Sequence, residues 1–364
     1  MNRPRWTLVA EANMWRGLMA MGMYLHRLAP PAPPNYTFYR RIPATLSKFR
    51  GQIGLYIYTP PTYYRSPADR FPAVVNFHGG GFTLGAPCDD ARWAVAVIRD
   101  TNAIFIDVEY RLAPEYPFPT AVEDGADALL WLFSTADELK VDSRRVAVSG
   151  FSAGGNMCFS VPLRFYYEAS MRPKQYEGAK PDSLATIAAF YPSTDFTRPR
   201  AERRATNIRP DKELPQVFTD LFDASYLWPP KEIDVQSPYL SPGVADNVLI
   251  REGLPERINM ITCEWDELLA EGERFRDRLL GMGKKIWYEK VLGVPHGWDK
   301  NPNPFVVDQK AEDVYKRMCE QINLAFAEAT GTAVEEAGVP VTTTPTGNEP
   351  KEPPQTGEVR EGEI

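Results

Sequence analysis

The stretch Val146-Ala147-Val148-Ser149-Gly150-Phe151-Ser152-Ala153-Gly154-Gly155-Asn156 constrains this chain more than any other. Its β-branched, apolar start reads as a buried strand, and the residues after Ala153 begin a helical pattern. Between them stands Gly150-Phe151-Ser152-Ala153-Gly154, a G-x-S-x-G sequence at a strand-to-helix turn. Such a turn is tight enough to hold its central serine strained, with the hydroxyl pushed above the sheet. Glycine two positions to either side lets strand and helix pass closely. The Ala153 amide, at the helix start, points to where an oxyanion would form. By composition alone the five-residue pattern arises in about one chain of this length in ten. The context and a base elsewhere must therefore carry the reading.

A serine hydroxyl is a poor nucleophile until a base takes its proton. The chain has three histidines, His26, His78 and His296. His26 lies in an N-terminal helical pattern. His296 follows the last expected strand, in Val291-Leu292-Gly293-Val294-Pro295-His296-Gly297-Trp298, on the sheet edge that also carries Ser152. His296 is the expected base. The acid that would fix its tautomer is Asp266, after the strand Ile258–Cys263; Glu264 and Glu267 are neighbouring substitutes and Asp195 is the runner-up. Directly after the apolar run Ala73–Phe77 comes His78-Gly79-Gly80-Gly81-Phe82. Glycines there let backbone amides turn toward a substrate oxygen with no Cβ in the way. His78 is then a residue that shapes the loop.

Strands are expected at Tyr36–Arg41, Gly54–Tyr58, Ala73–Phe77, Ile104–Val108, Val146–Ser149, Leu184–Tyr191, Ile258–Cys263 and Lys285–Val291. Helices are expected around Asp89–Arg99, Thr120–Phe133, Ala153–Ala169, Glu267–Leu280 and Phe305–Ala329, with Pro162 kinking or ending the third. Alternation of strands and helices with near-continuous apolar strands argues an α/β fold, a mostly parallel sheet with helices on both faces. Residues 6–28 form a Met- and Trp-rich helix or helix pair, read as a packing element, with a lid over an apolar pocket or peripheral membrane contact as alternatives. Residues 192–256 alternate prolines with short aromatic segments, as an inserted cap would. Arg198, Arg200, Arg203, Arg204 and Arg209 make that insertion basic: a solvated face, or else an anion subsite. The divisions expected are N-terminal cap helices at 1–45, core at 46–191, insertion at 192–256, core at 257–329 and a disordered acidic tail at 330–364.

The formal net charge is −7. Residues 331–364 carry Glu335, Glu336, Glu349, Glu352, Glu358, Glu361 and Glu363 against Lys351 and Arg360, which leaves −2 for the body. A body so close to neutral argues against nucleic acid as a partner and against steering of a charged substrate. Cys88, Cys158, Cys263 and Cys319 have no C-x-x-C spacing and read as buried free thiols. With so few histidines a His-rich metal site is not expected. Glu11 and Arg16 interrupt the N-terminal apolar run, and no apolar run reaches 18 residues, so neither a secretory signal nor an integral membrane segment is expected; the default is cytoplasmic.

His78-Gly79-Gly80-Gly81, Tyr110-Arg111-Leu112-Ala113-Pro114-Glu115, Gly150–Gly154 and Asp266-Glu267-Leu268-Leu269-Ala270-Glu271-Gly272 occur in the order of another set of proteins. From about residue 48 to 328 the chain resembles the hormone-sensitive-lipase-like carboxylesterases of the α/β-hydrolase fold. The resemblance implies an eight-stranded, mostly parallel sheet with a cap built from the N-terminus and the insertion. It implies Ser152 as nucleophile, Asp266 as acid and His296 as base, with the amides of Gly80, Gly81 and Ala153 as oxyanion hole. His78, Gly79, Gly150 and Gly154 would be structural, and no cofactor or metal is implied. Phe151 stands where many members carry Asp, and Trp298 where Phe is common. The expected activity is hydrolysis of a small-molecule ester with a short-to-medium acyl or aromatic group. Amide hydrolysis, transacylation or cyclisation by the same residues is the alternative, and a non-catalytic ligand receptor a further one. The oligomeric state stays open, a homodimer included.

Overall fold

The computed structural model describes residues 3–65, 69–173 and 184–332. The strands are β1 (Phe38–Pro43), β2 (Gln52–Tyr58), β3 (Phe71–Phe77), β4 (Ile104–Glu109), β5 (Val141–Phe151), β6 (Leu184–Phe190), β7 (Arg257–Trp265) and β8 (Lys285–Pro295). They form one eight-stranded sheet in the order β1-β2-β4-β3-β5-β6-β7-β8. β2 runs antiparallel to both neighbours, whereas β4, β3, β5, β6, β7 and β8 are mutually parallel. The mostly parallel sheet is thus the one the apolar runs indicated.

Side chains alternate across the sheet with the strand period of two. Val75, Phe77, Val146, Val148, Ile187 and Ala189 share one core with helices α3 (Thr120–Ser134), α4 (Ala153–Met171) and α8 (Leu269–Gly281). Val74, Ala147, Ala188, Phe190 and Cys263 share the other with α2 (Ala91–Thr101) and α9 (Gln309–Thr330). Both faces are covered, so the central strands are apolar throughout. Every parallel strand therefore delivers its C-terminal end to the same edge, above which the site lies.

Two further pieces close over that edge. Residues 5–28 form a single helix, α1 (Arg5–Leu28), rather than a pair. Between β6 and β7 the chain makes three short helices, α5 (Arg200–Arg204), α6 (Gln216–Tyr226) and α7 (Asn247–Gly253). Trp15 of α1 meets Phe218 of α6 edge to face, with ring centres 4.7 Å apart.

Some expectations need correction. Helix α4 does not end at Pro162 but runs on to Met171, held by burial of Val161, Pro162, Leu163 and Phe165. Cys88 is only half-buried, on a 3₁₀ turn before α2, while Cys158, Cys263 and Cys319 are buried free thiols as expected. The basic stretch is not a solvated face throughout, since Arg203 is buried and Arg200 and Arg204 largely so, and it offers no open anion subsite, because its arginines face carboxylates: Arg198 Asp195, Arg200 Asp223 and Glu267, Arg203 Glu271, Arg204 Glu267, and Arg209 Asp211. The acidic tail, from residue 333 on, lies outside the described residues. No described helix is long and apolar enough to cross a membrane.

Candidate active site

β5 ends at Phe151 and α4 begins at Ala153, so Ser152 alone makes the turn between them. Its backbone sits at φ 55° and ψ −110°, a conformation costing a non-glycine residue about 1–3 kcal/mol. Its surroundings hold it there. The Ser152 amide donates to Phe190 O at 2.9 Å, and its carbonyl accepts from Asn156 N at 2.9 Å, opening α4. The glycines around it are required by space. A Cβ on Gly150 would stand 2.5 Å from Gly154 O, and one on Gly154 would run into Phe77 O.

His296 directly follows β8 and Asp266 directly follows β7, so both rise from the same sheet edge as Ser152. His296 Nδ1 lies 2.7 Å from Asp266 Oδ2, and His296 Nε2 lies 2.8 Å from Ser152 Oγ. A carboxylate only accepts, so Nδ1 carries the proton and Nε2 is left to accept from the serine hydroxyl. Asp266 is itself oriented, its Oδ1 accepting from Leu268 N at 2.9 Å. Burial alone would push the His296 imidazolium down. The Asp266 charge and hydrogen bond, with Glu267 and Asp299 behind, outweigh it and raise His296 above the ordinary histidine value. The substitutes for Asp266 are engaged elsewhere. Glu264 accepts from Gly293 N, Glu267 from Arg200, and Asp195 from Thr197 N.

The loop after β3 is organised by the planarity of its peptides. In a trans peptide the C=O of one residue and the N–H of the next point in opposite directions. His78 Nδ1–H donates to Gly79 O at 2.8 Å, which turns the Gly80 amide the other way. Gly80 O accepts from Leu84 N at 2.8 Å and Thr83 N at 3.1 Å, which likewise turns out the Gly81 amide. On the serine side, the bond from Asn156 N to Ser152 O does the same for the Ala153 amide. These three amides have no acceptor among the described residues. Gly80 and Gly81 reach the necessary shape at φ 118° and 60°. His78 is fully buried, stacked on Tyr110, and burial pushes it below the ordinary histidine value. It stays neutral and is far better suited to bracing the loop than to moving protons.

Ser152 and His296 open onto two cavities of unequal size. The larger, about 520 Å³, is walled by Trp15, Leu18, Met19 and Gly22 of α1 and by Phe218 and Phe222 of α6. The smaller, about 40 Å³, lies toward Phe196, Thr219, Leu268 and the Arg200–Asp223 pair. At one wall of the larger cavity Lys300 pairs with Asp90 at 2.7 Å, and Asp89 is pushed up to about 7 by burial. Sequence reasoning missed this charged wall. Its members are far apart in the chain, and nothing local marks any of them. No group of His, Cys, Asp or Glu among the described residues is arranged to hold a metal ion.

A family model described as alpha/beta hydrolase fold matches residues 74–300. The carboxylesterase NlhH of Mycobacterium tuberculosis is 29% identical over 251 residues, 68% of this chain and 71% of its own. Carboxylesterase 20 of Arabidopsis thaliana is 32% identical over 256 residues, 67% of this chain and 71% of its own. Among solved structures, an esterase from Pyrobaculum calidifontis matches with a TM-score of 0.70 at 27% identity, covering 86% of this chain and 92% of that one. The chain belongs to the α/β-hydrolase fold family, among its hormone-sensitive-lipase-like members.

Proposed function

We propose that this hydrolase is a serine carboxylesterase in which Ser152, His296 and Asp266 act as nucleophile, base and acid. Its substrates are neutral esters with one bulky apolar arm and one small arm. The observation that supports this most is the unbroken line from Ser152 Oγ through both nitrogens of His296 to Asp266, at the meeting point of the two cavities.

In this reading the Ser152 proton passes to His296 Nε2 as Oγ attacks the ester carbonyl carbon. The carbonyl electron pair moves to oxygen, where the amides of Gly80, Gly81 and Ala153 receive it; donors set in advance for that charge give the largest single gain in such reactions. His296 then protonates the departing alkoxide, leaving an acyl group on Ser152. Water, losing its proton to His296, attacks the acyl carbon, and Oγ recovers its proton as the carboxylic acid leaves. Each step balances with the protein's own groups. Helix α1 and the insertion 192–256 serve as the cap, with the larger cavity taking the bulky arm. Asp89 and Asp90 stand against the single Lys300 on the wall of that cavity, which leaves no surplus positive charge there to draw an anionic arm.

Hydrolysis of p-nitrophenyl esters from acetate to decanoate, wild type beside Ser152→Ala, tests the reading. The wild type should be faster by roughly 10⁴-fold or more. Equal rates for the two proteins on every ester would remove it, and faster turnover of an anionic ester than of its neutral counterpart would remove the charge argument.

A further inference from the structure

We propose that Arg16, on helix α1, is a positioning residue for the Gly81 amide, coupling the wall of the larger cavity to the chemistry at Ser152. This rests on the ester-hydrolysis reading and on Gly81 as an oxyanion donor.

The Arg16 guanidinium is bound on several sides. Nε donates to Thr83 O at 2.9 Å, Nη2 to Ala113 O at 2.8 Å, and the two Nη groups reach the Glu115 carboxylate at 2.9 Å each. A planar fork held this way has little freedom. The bond to Thr83 O matters most. Thr83 O and the Leu84 amide belong to one peptide plane, so holding the oxygen aims the Leu84 N–H the opposite way. That N–H donates to Gly80 O at 2.8 Å. Gly80 O and the Gly81 amide share the next plane, and the Gly81 N–H is aimed at the site in turn. Two rigid peptide planes thus join Arg16 to the amide. Thr83 is fully buried, and its hydroxyl also donates to Gly81 O at 3.1 Å, so the relay has little slack. The other face of α1 carries Trp15, Leu18, Met19 and Gly22 into the larger cavity. Other ties hold α1 elsewhere: Arg5 to Pro114 O at 3.0 Å, and Arg92 to His26 O at 2.9 Å and Ala29 O at 2.6 Å. Of these three arginines, only Arg16 reaches the glycine loop.

One consequence separates this role from that of a simple wall. A long substrate arm packs on α1 and helps keep the helix seated, whereas an acetyl group does not reach it. Loss of Arg16 therefore acts on kcat and acts hardest on the shortest ester. A wall residue would instead raise KM, and only for long esters.

The test compares the full chain as wild type, Ser152→Ala, Arg16→Ala and Arg16→Lys on p-nitrophenyl acetate and octanoate between pH 6 and 9. Arg16→Ala should lose about 10- to 100-fold in kcat on acetate, the range for a displaced donor, and clearly less on octanoate. Its pH midpoint should match the wild type, because His296 is untouched. Low-millimolar guanidinium should restore part of the lost kcat. Unchanged kcat with KM raised on octanoate alone would overturn the proposal, as would a moved pH midpoint. Should Arg16→Ala fail to fold, Arg16→Lys decides: it keeps a cation opposite Glu115 but cannot span Thr83 and Ala113 together. An intermediate kcat loss supports the relay and wild-type kcat overturns it. A wild type no faster than Ser152→Ala overturns the ester-hydrolysis reading and this inference with it. An active wild type matched by Arg16→Ala overturns the inference alone.

Discussion

The Lys300 ammonium stands 3.8 Å from the centre of the Phe151 ring, one residue before the strained serine. It also pairs with Asp90 at 2.7 Å and approaches Asp299 at 3.5 Å, and both carboxylates are almost wholly buried. Asp299 in turn accepts from the Tyr191 and Tyr315 hydroxyls at 2.5 Å each. A cation therefore packs on the aromatic face at position 151, and the two buried carboxylates meet its charge.

Replacing Lys300 by Met leaves two buried carboxylates without their cation. Stability should fall by about 3–5 kcal/mol, measured by urea denaturation. Adding Asp90→Asn should recover part of the loss, because one stranded charge is removed.

The raised His296 predicts the pH dependence. The base must be neutral, so kcat/KM should fall as pH drops through a midpoint above the ordinary histidine value of 6.5. Asp266→Asn should lower that midpoint and cut kcat by about 10⁴-fold. The sign for stability is opposite. The imidazolium–Asp266 pair stabilises the fold fully below the unfolded histidine value, and this contribution is lost as pH rises through the folded one. Thermal melts and rates across pH 5–9 check both.

The two cavities predict a chain-length effect. Gly22 lines the larger cavity, and a Cβ there would meet nothing nearer than Pro302 Cβ at 3.9 Å. Gly22→Leu should fold, keep acetate turnover and shift the preferred acyl length downward in the p-nitrophenyl series. An unchanged optimum would show that long arms go elsewhere.

Two glycines should respond in opposite directions. Gly17, exposed on α1 with open space around it, should gain about 0.5–1 kcal/mol on change to Ala. Gly81, at φ 60° with the Phe222 ring against it, should lose most activity on the same change. Denaturation midpoints and acetate turnover report the two.

Much of this was legible in the sequence because the signals are local. Val146–Asn156 announces the serine turn, and the glycines after Phe77 announce a loop of freed amides. Ser152, Asp266 and His296 could be brought together because parallel strands put their following loops on one edge. What stayed hidden depends on distant pairing. Nothing near Arg16 says that it reaches Thr83 and Glu115, and nothing near Lys300 names Asp90. The arginines around α5 read as a solvated face, with an anion subsite as the alternative, and only the fold brings Asp223 and Glu267 to Arg200. At Pro162 the helix read over Ala153–Ala169 does not end early but runs on to Met171, with Val161, Pro162, Leu163 and Phe165 all buried.

The most direct test of the central claim is a covalent one. Wild-type protein and Ser152→Ala would be treated with a p-nitrophenyl alkylphosphonate, and the modified residue mapped by peptide mass spectrometry. One phosphonyl group on Ser152, gained with release of one p-nitrophenolate and with loss of ester hydrolysis, and no adduct on the variant, is the result expected. Full ester hydrolysis surviving in a protein modified at some other residue, or in Ser152→Ala itself, would contradict it.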